Sequence, residues 1–444
     1  MIEILDTTRW IVVGIFVLGV MVLVHEWGHF VVAKLMGVRV ETFSIGFGPR
    51  LLGLRRGPTD YRLSALPLGG YVKMAGDNPL EDRAGAPDEF LSKSRWQRAL
   101  IAVAGPAVNA LLAVLLLASV YAVKFEKPAY LDEPARLDGV IADSPAARAG
   151  LQAGDVVVKI AGKANPTWEE MQVESLLGGQ GLLAVTVARG DERFTRTLEP
   201  EIRGERDMPF VGWYPYDPVV ITEVDPDMAA ARAGLQAGDE VMAVDGKSTS
   251  EIGARGFVEQ VQGSKGAPLT LTVRRAGRSL ELRATSEQRT WRKQTGYFLG
   301  IGIGRRLDTV HLGPLAALRQ SVADNVRFTG LLFALLQRLF TGQASMRNLE
   351  GPIGITVLSG QAARLGWGTL FNLMAVISIN LAVLNLLPIP ILDGGHILLL
   401  GIEGLRQRDL SQRVKERATQ VGLMLLLLLF AVVMYNDVMR YFFR

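Results

Sequence analysis

Residues 21–34 read Met-Val-Leu-Val-His-Glu-Trp-Gly-His-Phe-Val-Val-Ala-Lys, and between Arg9 and Lys34 the only ionisable side chains are His25, Glu26 and His29. On a helix, residues at i and i+4 stack on one face, so His25 and His29 point the same way. Two imidazoles so placed can share one Zn2+, with Glu26 beside them to take a proton from an activated water. The apolar run that carries them is long enough to span a bilayer, which needs about 20 residues. Ionisable groups inside a span are costly, and three of them at this spacing indicate a site. The competing reading is a polar cluster that only packs helices together.

Three more stretches have spanning length. Ala99–Val123 is uncharged over 25 residues, Leu365–Leu392 over 28 and Ala418–Asn436 over 19. The first span is not expected to be a cleaved signal peptide, because Glu3 and Asp6 make its start acidic and no small-residue cleavage site follows. Lys and Arg favour the cytoplasmic side. Eleven fall in 34–98 and five in 403–417, which places both segments there. Both termini and the long segment 124–364 are then expected outside, in the periplasm of a Gram-negative cell. The net charge of +4 over 444 residues is too small and dispersed for a nucleic-acid binder. With no Cys, disulfides and thiolate metal sites are excluded, so any metal takes His and carboxylate ligands.

A catalytic zinc needs a third protein ligand. The remaining histidines are His311 and His396, and His396 reads better as structural. Asp393 is the stronger choice. It ends the third uncharged span in Asn385-Leu-Leu-Pro-Ile-Pro-Ile-Leu-Asp-Gly-Gly-His396, where Pro388 and Pro390 break the helix and Gly394 and Gly395 allow a sharp turn. Irregular backbone at membrane depth is tolerated where it lines a cavity or is buried in protein. The plainer alternative is a helix-capping Asp at the interface.

The segment between the second and third spans repeats itself. Ala146–Asp155 and Ala230–Asp239 both read AARAGLQAGD, each copy preceded and followed by β-type runs. This pattern resembles tandem, circularly permuted PDZ domains of bacterial envelope proteases, which bind extended peptides by strand addition.

Together, HExxH at 25–29 and NxxPxPxLDGG at 385–395 resemble the site-2 protease family of intramembrane zinc metalloproteases, nearest its bacterial RseP branch. The resemblance covers essentially the whole chain. It implies one Zn2+ held by His25, His29 and Asp393, with Glu26 as catalytic base. It also implies a multi-pass α-helical membrane protein of the inner membrane, with four transmembrane helices, a membrane-reentrant β-hairpin and two β-rich tandem PDZ domains on the outer face. The boundaries expected are 1–34 for the first span, 35–98 for the cytoplasmic and reentrant region and 99–124 for the second span. The PDZ domains then take 128–210 and 217–305, amphipathic interfacial helices 314–364, the third span 365–400 and the fourth 418–440. Gly105 and Asn109 match the family's Gly-xxx-Asn motif, a structural packing element of the second span. Gly46, Gly48, Gly69 and Gly70 fall in the reentrant hairpin, which is expected to pair with an unwound substrate. Asn385, Asn380, Pro388 and Pro390 are expected to touch the substrate from the other side.

The implied activity is cleavage of transmembrane segments near the cytoplasmic side, on an anti-sigma factor already trimmed by another protease, with remnant signal peptides as further substrates. The partners are then transmembrane proteins and the lipid bilayer. Two other classes remain to be weighed. One is a non-enzymatic membrane-anchored PDZ receptor or scaffold. The other is a zinc transporter, which the near absence of ionisable groups outside the two motifs disfavours.

Overall fold

The computed structural model describes residues 2–77, 85–123, 125–178, 181–203, 208–291, 294–342, 346 and 349–443. Parts of the expected regions 35–98 and 314–364, namely 78–84, 343–345 and 347–348, lie outside the described residues. The chain divides into two compact units, one of Met1–Phe125 with His311–Thr341 and Ser345–Arg444, the other of Glu126–Val310.

The first unit is mostly helical. Its helices are α1 (Ile2–Leu35), α2 (Arg95–Val123), α3 (Pro314–Phe340), α4 (Pro352–Leu365), α5 (Trp367–Asn385), α6 (Asp393–Arg406) and α7 (Gln412–Phe442). Stretches of α1, α2, α5 and α7 are long and apolar enough to cross a membrane. The run 365–400 is not one helix. It stops at Asn385, resumes at Asp393, and Pro388 and Pro390 stand in the break, where the missing amide protons prevent continuation.

Two apolar seams hold these helices. Val17 and Met21 of α1 meet Ala362 of α4 and Leu370 and Met374 of α5. Ala113, Leu117 and Tyr121 of α2 meet Ala317 of α3 and Ala375, Ile379 and Val383 of α5. Helix α7 differs, since Val421, Leu423, Met424, Leu425, Leu427 and Leu428 are all exposed. It is tied at its ends by polar contacts instead. Near its start, Lys415 Nζ lies 2.6 Å from the buried carboxylate of Glu403 on α6. That carboxylate also accepts from Leu410 N and has Arg98 of α2 at 3.9 Å. At its far end, the fully buried Asp437 accepts from the backbone N–H of Gly351 and of Gly354, each at 3.0 Å. Those are open N–H groups at the start of α4, where a carboxylate is favoured.

Between α1 and α2 lie two strands, β1 (Val40–Arg56) and β2 (Thr59–Met74), which fold back on themselves. Thr42–Ile45 pairs with Gly70–Lys73 on one side and with Asp60–Leu63 on the other, while Leu52–Arg56 pairs with Thr59–Leu63. Four short segments thus lie side by side, and the Thr59 hydroxyl closes their base by donating to Val40 O at 2.8 Å.

The second unit is β-rich and carries the repeat. In its first half the strands run in the order Lys163–Ala164, Val156–Ile160, Leu183–Arg189, Glu192–Leu198, around a core that includes Leu137, Val157, Ile160, Trp168, Met171, Val185 and Val187. In the second half the order is Arg278–Thr285, Pro268–Arg275, Glu240–Val244, Val219–Val224, Ile301–Gly304, around Ile221, Val241, Phe257, Leu271 and Val273.

The two copies of AARAGLQAGD build the same clasp. Asp155 accepts from Gln152 N and is paired with Arg189, which also donates to Gly150 O. Asp239 accepts from Gln236 N and is paired with Arg275, which donates to Gly234 O. Burial works to raise both carboxyl pKa values, but the arginine and the backbone N–H outweigh it, and both sit below the ordinary carboxylate range.

Replacing Asp437 with Ala leaves two N–H groups of α4 without their charged acceptor. The expected cost is roughly 2–4 kcal/mol, read as a lower thermal midpoint in detergent, with Asp437→Asn between the variant and the parent. An Ala variant as stable as the parent would show that the cap carries no weight.

Candidate metal centre

Helix α1 presents His25 and His29 on the face that α2 covers, and both are buried. The exposed Trp27 points elsewhere. Two glycines let the helices meet. A Cβ on Gly28 would lie 2.5 Å from Ala104 O, and one on Gly105 would lie 2.4 Å from His29 Nε2 and 2.8 Å from His25 Cε1. Side chains at these two positions would hold the backbones apart. Pro106 follows inside α2 and removes one intrahelical N–H.

Asp393 opens α6 immediately after the proline-broken segment. The following glycines are packed against that segment: Cβ atoms there would lie 2.2 Å from Leu386 O for Gly394 and 2.1 Å from Ile389 O for Gly395. This curl turns the Asp393 carboxylate onto the histidine pair. Its Oδ2 is 3.1 Å from His25 Nε2, its Oδ1 is 3.4 Å from His29 Nε2, and the two Nε2 atoms are 3.1 Å apart. Among the described residues this is the only group of three or more His, Cys, Asp or Glu side chains that could hold a metal ion.

Three ligand atoms bonded to one zinc at about 2.0–2.1 Å in tetrahedral geometry stand about 3.3–3.4 Å apart. The observed separations, each imidazole facing its own oxygen of Asp393, are close to that size, and two imidazoles with one carboxylate are a zinc donor set. The residues therefore fit the ion. His29 is oriented for it, since Nδ1–H donates to Ile101 O at 2.8 Å and leaves Nε2 bare toward the triangle. Glu26 is not in the triangle. Its Oε2 accepts from the backbone N–H of Val72 at 3.2 Å, which ties the carboxylate to the sheet between α1 and α2.

The other expected residues fall in three places. Gly105 and Asn109 lie against the histidines on α2; Asn109 is fully buried, with Nδ2 3.4 Å from His25 Nδ1 and its backbone carbonyl accepting from Ser378 Oγ. Asn380 and Asn385 lie on α5, half-buried, with Pro388 and Pro390 in the break beyond. Gly46, Gly48, Gly69 and Gly70 lie on the sheet, where Gly69 has φ of 121° and would set a Cβ 3.0 Å from Val22 of α1. His396 is set apart from the triangle, one turn into α6. Reading the sequence does not reveal the contributions of Val72 N–H, Ile101 O and Ser378, because backbone groups are the same at every position and serine is common.

Residues 13–429 match the profile of peptidase family M50. The chain belongs to peptidase family M50. It is 34% identical to "Regulator of sigma-E protease RseP" of Salmonella typhimurium, an alignment spanning 96% of this chain and 97% of that protein. It is 34% identical to "Protease RseP" of Yersinia pestis and 33% identical to "Regulator of sigma-E protease RseP" of Escherichia coli, with the same shares covered. The M50 chain is a zinc metalloprotease with four helices long and apolar enough to cross a membrane. This sets aside the scaffold and transporter readings.

In an M50 site packed this tightly, the methyl of Gly105→Ala must part α1 from α2 or turn an imidazole away. Zinc retained after dialysis against a chelator should fall, with affinity reduced roughly 10–100-fold, while the helical circular dichroism is kept. An Ala variant with full zinc would mean that the contact is not as tight as the Cβ distances require.

Proposed function

We propose that this M50 protease is an intramembrane endopeptidase of the inner membrane, and that His25, His29 and Asp393 hold its zinc while Glu26 acts as base. The observation that carries the proposal is the convergence of His25 Nε2, His29 Nε2 and the Asp393 carboxylate in a bundle whose helices include four long and apolar enough to cross a membrane. The eleven Lys and Arg in 34–98 favour placing that triangle toward the cytoplasm and both termini in the periplasm.

Zinc, when bound, supplies a Lewis acid for a carbonyl and an acidified water. The chain's own residues do the rest. Glu26 accepts the proton of the attacking water and delivers it to the departing amide nitrogen, while Val72 N–H holds its carboxylate in place. Neither Asn380 nor Asn385 has a side-chain hydrogen bond to a described residue, so both amides are open to a stretched substrate backbone. Pro388 and Pro390 keep the segment next to them from becoming helix.

A substrate helix must open before it is cut, and each exposed backbone group in lipid costs several kcal/mol. We assign the offset to the four-segment sheet. Its depth supports a reentrant position. Val72 lies beside Glu26 and Gly69 beside Val22. Val22 is thirteen residues from Leu35, about 20 Å along α1. The segment Arg50–Arg56 exposes Leu51, Leu52 and Leu54, and its Arg55 and Arg56 return to the level of Val40, which suits lipid for the leucines and headgroups for the arginines.

The halves of the second unit are read as PDZ domains at 128–210 and 217–305. Their sheets of short strands with one longer helix each support this. The relatives are named as regulators of sigma-E, which supports a membrane-anchored anti-sigma factor, after a first cleavage, as the proposed substrate class; remnant signal peptides are proposed as a second class.

Purified protein with a transmembrane peptide, assayed with and without chelator, tests the reading. Glu26→Gln should abolish cleavage and keep about one zinc per chain, whereas Asp393→Asn should lose zinc as well. If Glu26→Gln also loses the metal, Glu26 is a ligand and the roles must be redrawn.

Proline placed at an edge position of 70–74 other than Val72, whose N–H holds Glu26, should slow cleavage of stable helical substrates more than of substrates already carrying helix-breaking residues. Equal slowing of both would count against strand pairing.

A further inference from the structure

The Asn109 carboxamide faces His25 Nδ1 at 3.4 Å, and the side chain is fully buried. Its Nδ2 end faces the ring, while Oδ1 has no hydrogen-bond partner among the described residues. A neutral imidazole carries one proton, on either Nδ1 or Nε2. If Nδ2–H donates into Nδ1, the proton of His25 sits on Nε2. That atom is 3.1 Å from both Asp393 Oδ2 and His29 Nε2, where a metal ligand needs a bare lone pair. The two ends of a carboxamide are nearly the same shape, so the partner decides which end faces it.

We infer that in the working site the Asn109 amide presents Oδ1 to His25, accepts the Nδ1–H proton, and so fixes the tautomer that leaves Nε2 free for the metal. Asn109 is then a positioning residue for a ligand, beyond its part in helix packing. The inference rests on the metal-centre reading above.

The same helix does this for both histidines. Ile101 O accepts from His29 Nδ1 at 2.8 Å, and Asn109 lies two turns further along α2. Ser378 Oγ donates to the Asn109 backbone carbonyl at 2.8 Å, which anchors that turn of α2 to α5. One imidazole is held by a backbone carbonyl that every residue type offers. The other depends on the side chain at 109, because among the described residues no backbone oxygen is hydrogen-bonded to His25 Nδ1. A hydrogen-bond acceptor beyond a ligating histidine commonly fixes ring orientation and raises ligand basicity.

The test compares Asn109→Leu with Asn109→Asp in the full chain. Leu keeps the approximate size and removes the acceptor; Asp keeps an acceptor and cannot donate when ionised. Zinc affinity is measured by competition with a chromophoric chelator, and 15N spectra of histidine-labelled, zinc-loaded protein report which ring nitrogen carries the proton. Asn109→Leu should weaken zinc roughly 10–100-fold. Asn109→Asp should hold zinc within a few-fold of the parent and keep the Nδ1–H signal of His25.

Equal losses in both variants would overturn the inference, since packing alone would then explain position 109. So would a Leu variant with parental affinity, or an Asp variant weaker than Leu. If the parent itself holds no zinc, the metal-centre reading fails, and this inference fails with it.

Discussion

Two imidazoles and a carboxylate crowded together among apolar helices are stable only if each answers the others or a shared cation does. That requirement organises the first unit. It explains why α1 and α2 meet through Gly28 and Gly105, since a side chain at Gly105 would enter the space that the rings fill and one at Gly28 would strike the α2 backbone. It also explains the broken backbone between α5 and α6. A continuous helix would carry Asp393 past the histidines, whereas the break at Pro388 and Pro390 followed by the tight curl at Gly394 and Gly395 turns it onto them. Glu26 is treated differently from its neighbours. Its carboxylate is tied to a backbone N–H of the sheet, which leaves it beside His25, His29 and Asp393 without joining their cluster.

Much of this was readable from residue types because the relevant geometry is short-ranged. An i, i+4 pair in one helix needs no tertiary knowledge, and uncharged runs of 19–28 residues state their own environment. Asp393 was readable for a different reason: prolines and glycines mark where regular structure must stop. The folding-back of β1 and β2 was not readable. Alternating apolar residues and glycines suggest a hairpin, but the pairing of Thr42–Ile45 on both of its sides depends on long-range register. The partners of Asp155 and Asp239 were equally hidden. The repeat itself is plain, yet Arg189 and Arg275 stand 34 and 36 residues further on, in a sequence rich in arginine.

The second unit shows how a short repeated string can specify a local structure twice. In each copy the Gly-Asp end of AARAGLQAGD places a carboxylate where it accepts from the glutamine N–H three residues back and from an arginine of a neighbouring strand. The arginine in turn closes on the glycine carbonyl at the end of the short helix. A clasp of this kind fixes the turn to the sheet without calling on the apolar core, so the two cores, one with Trp168 and Met171 and the other with Phe257, are free to differ.

The cap that Asp437 places on α4 has a bearing on the order in which the chain is assembled. Synthesis reaches Gly351 and Gly354 long before it reaches residue 437, so α4 emerges with its first N–H groups unanswered. Their acceptor arrives only when α7 is nearly complete. Until then, the start of α4 depends on water or lipid headgroups for its hydrogen bonds. The start of α4 therefore reaches its final hydrogen bonding only once residue 437 is in place.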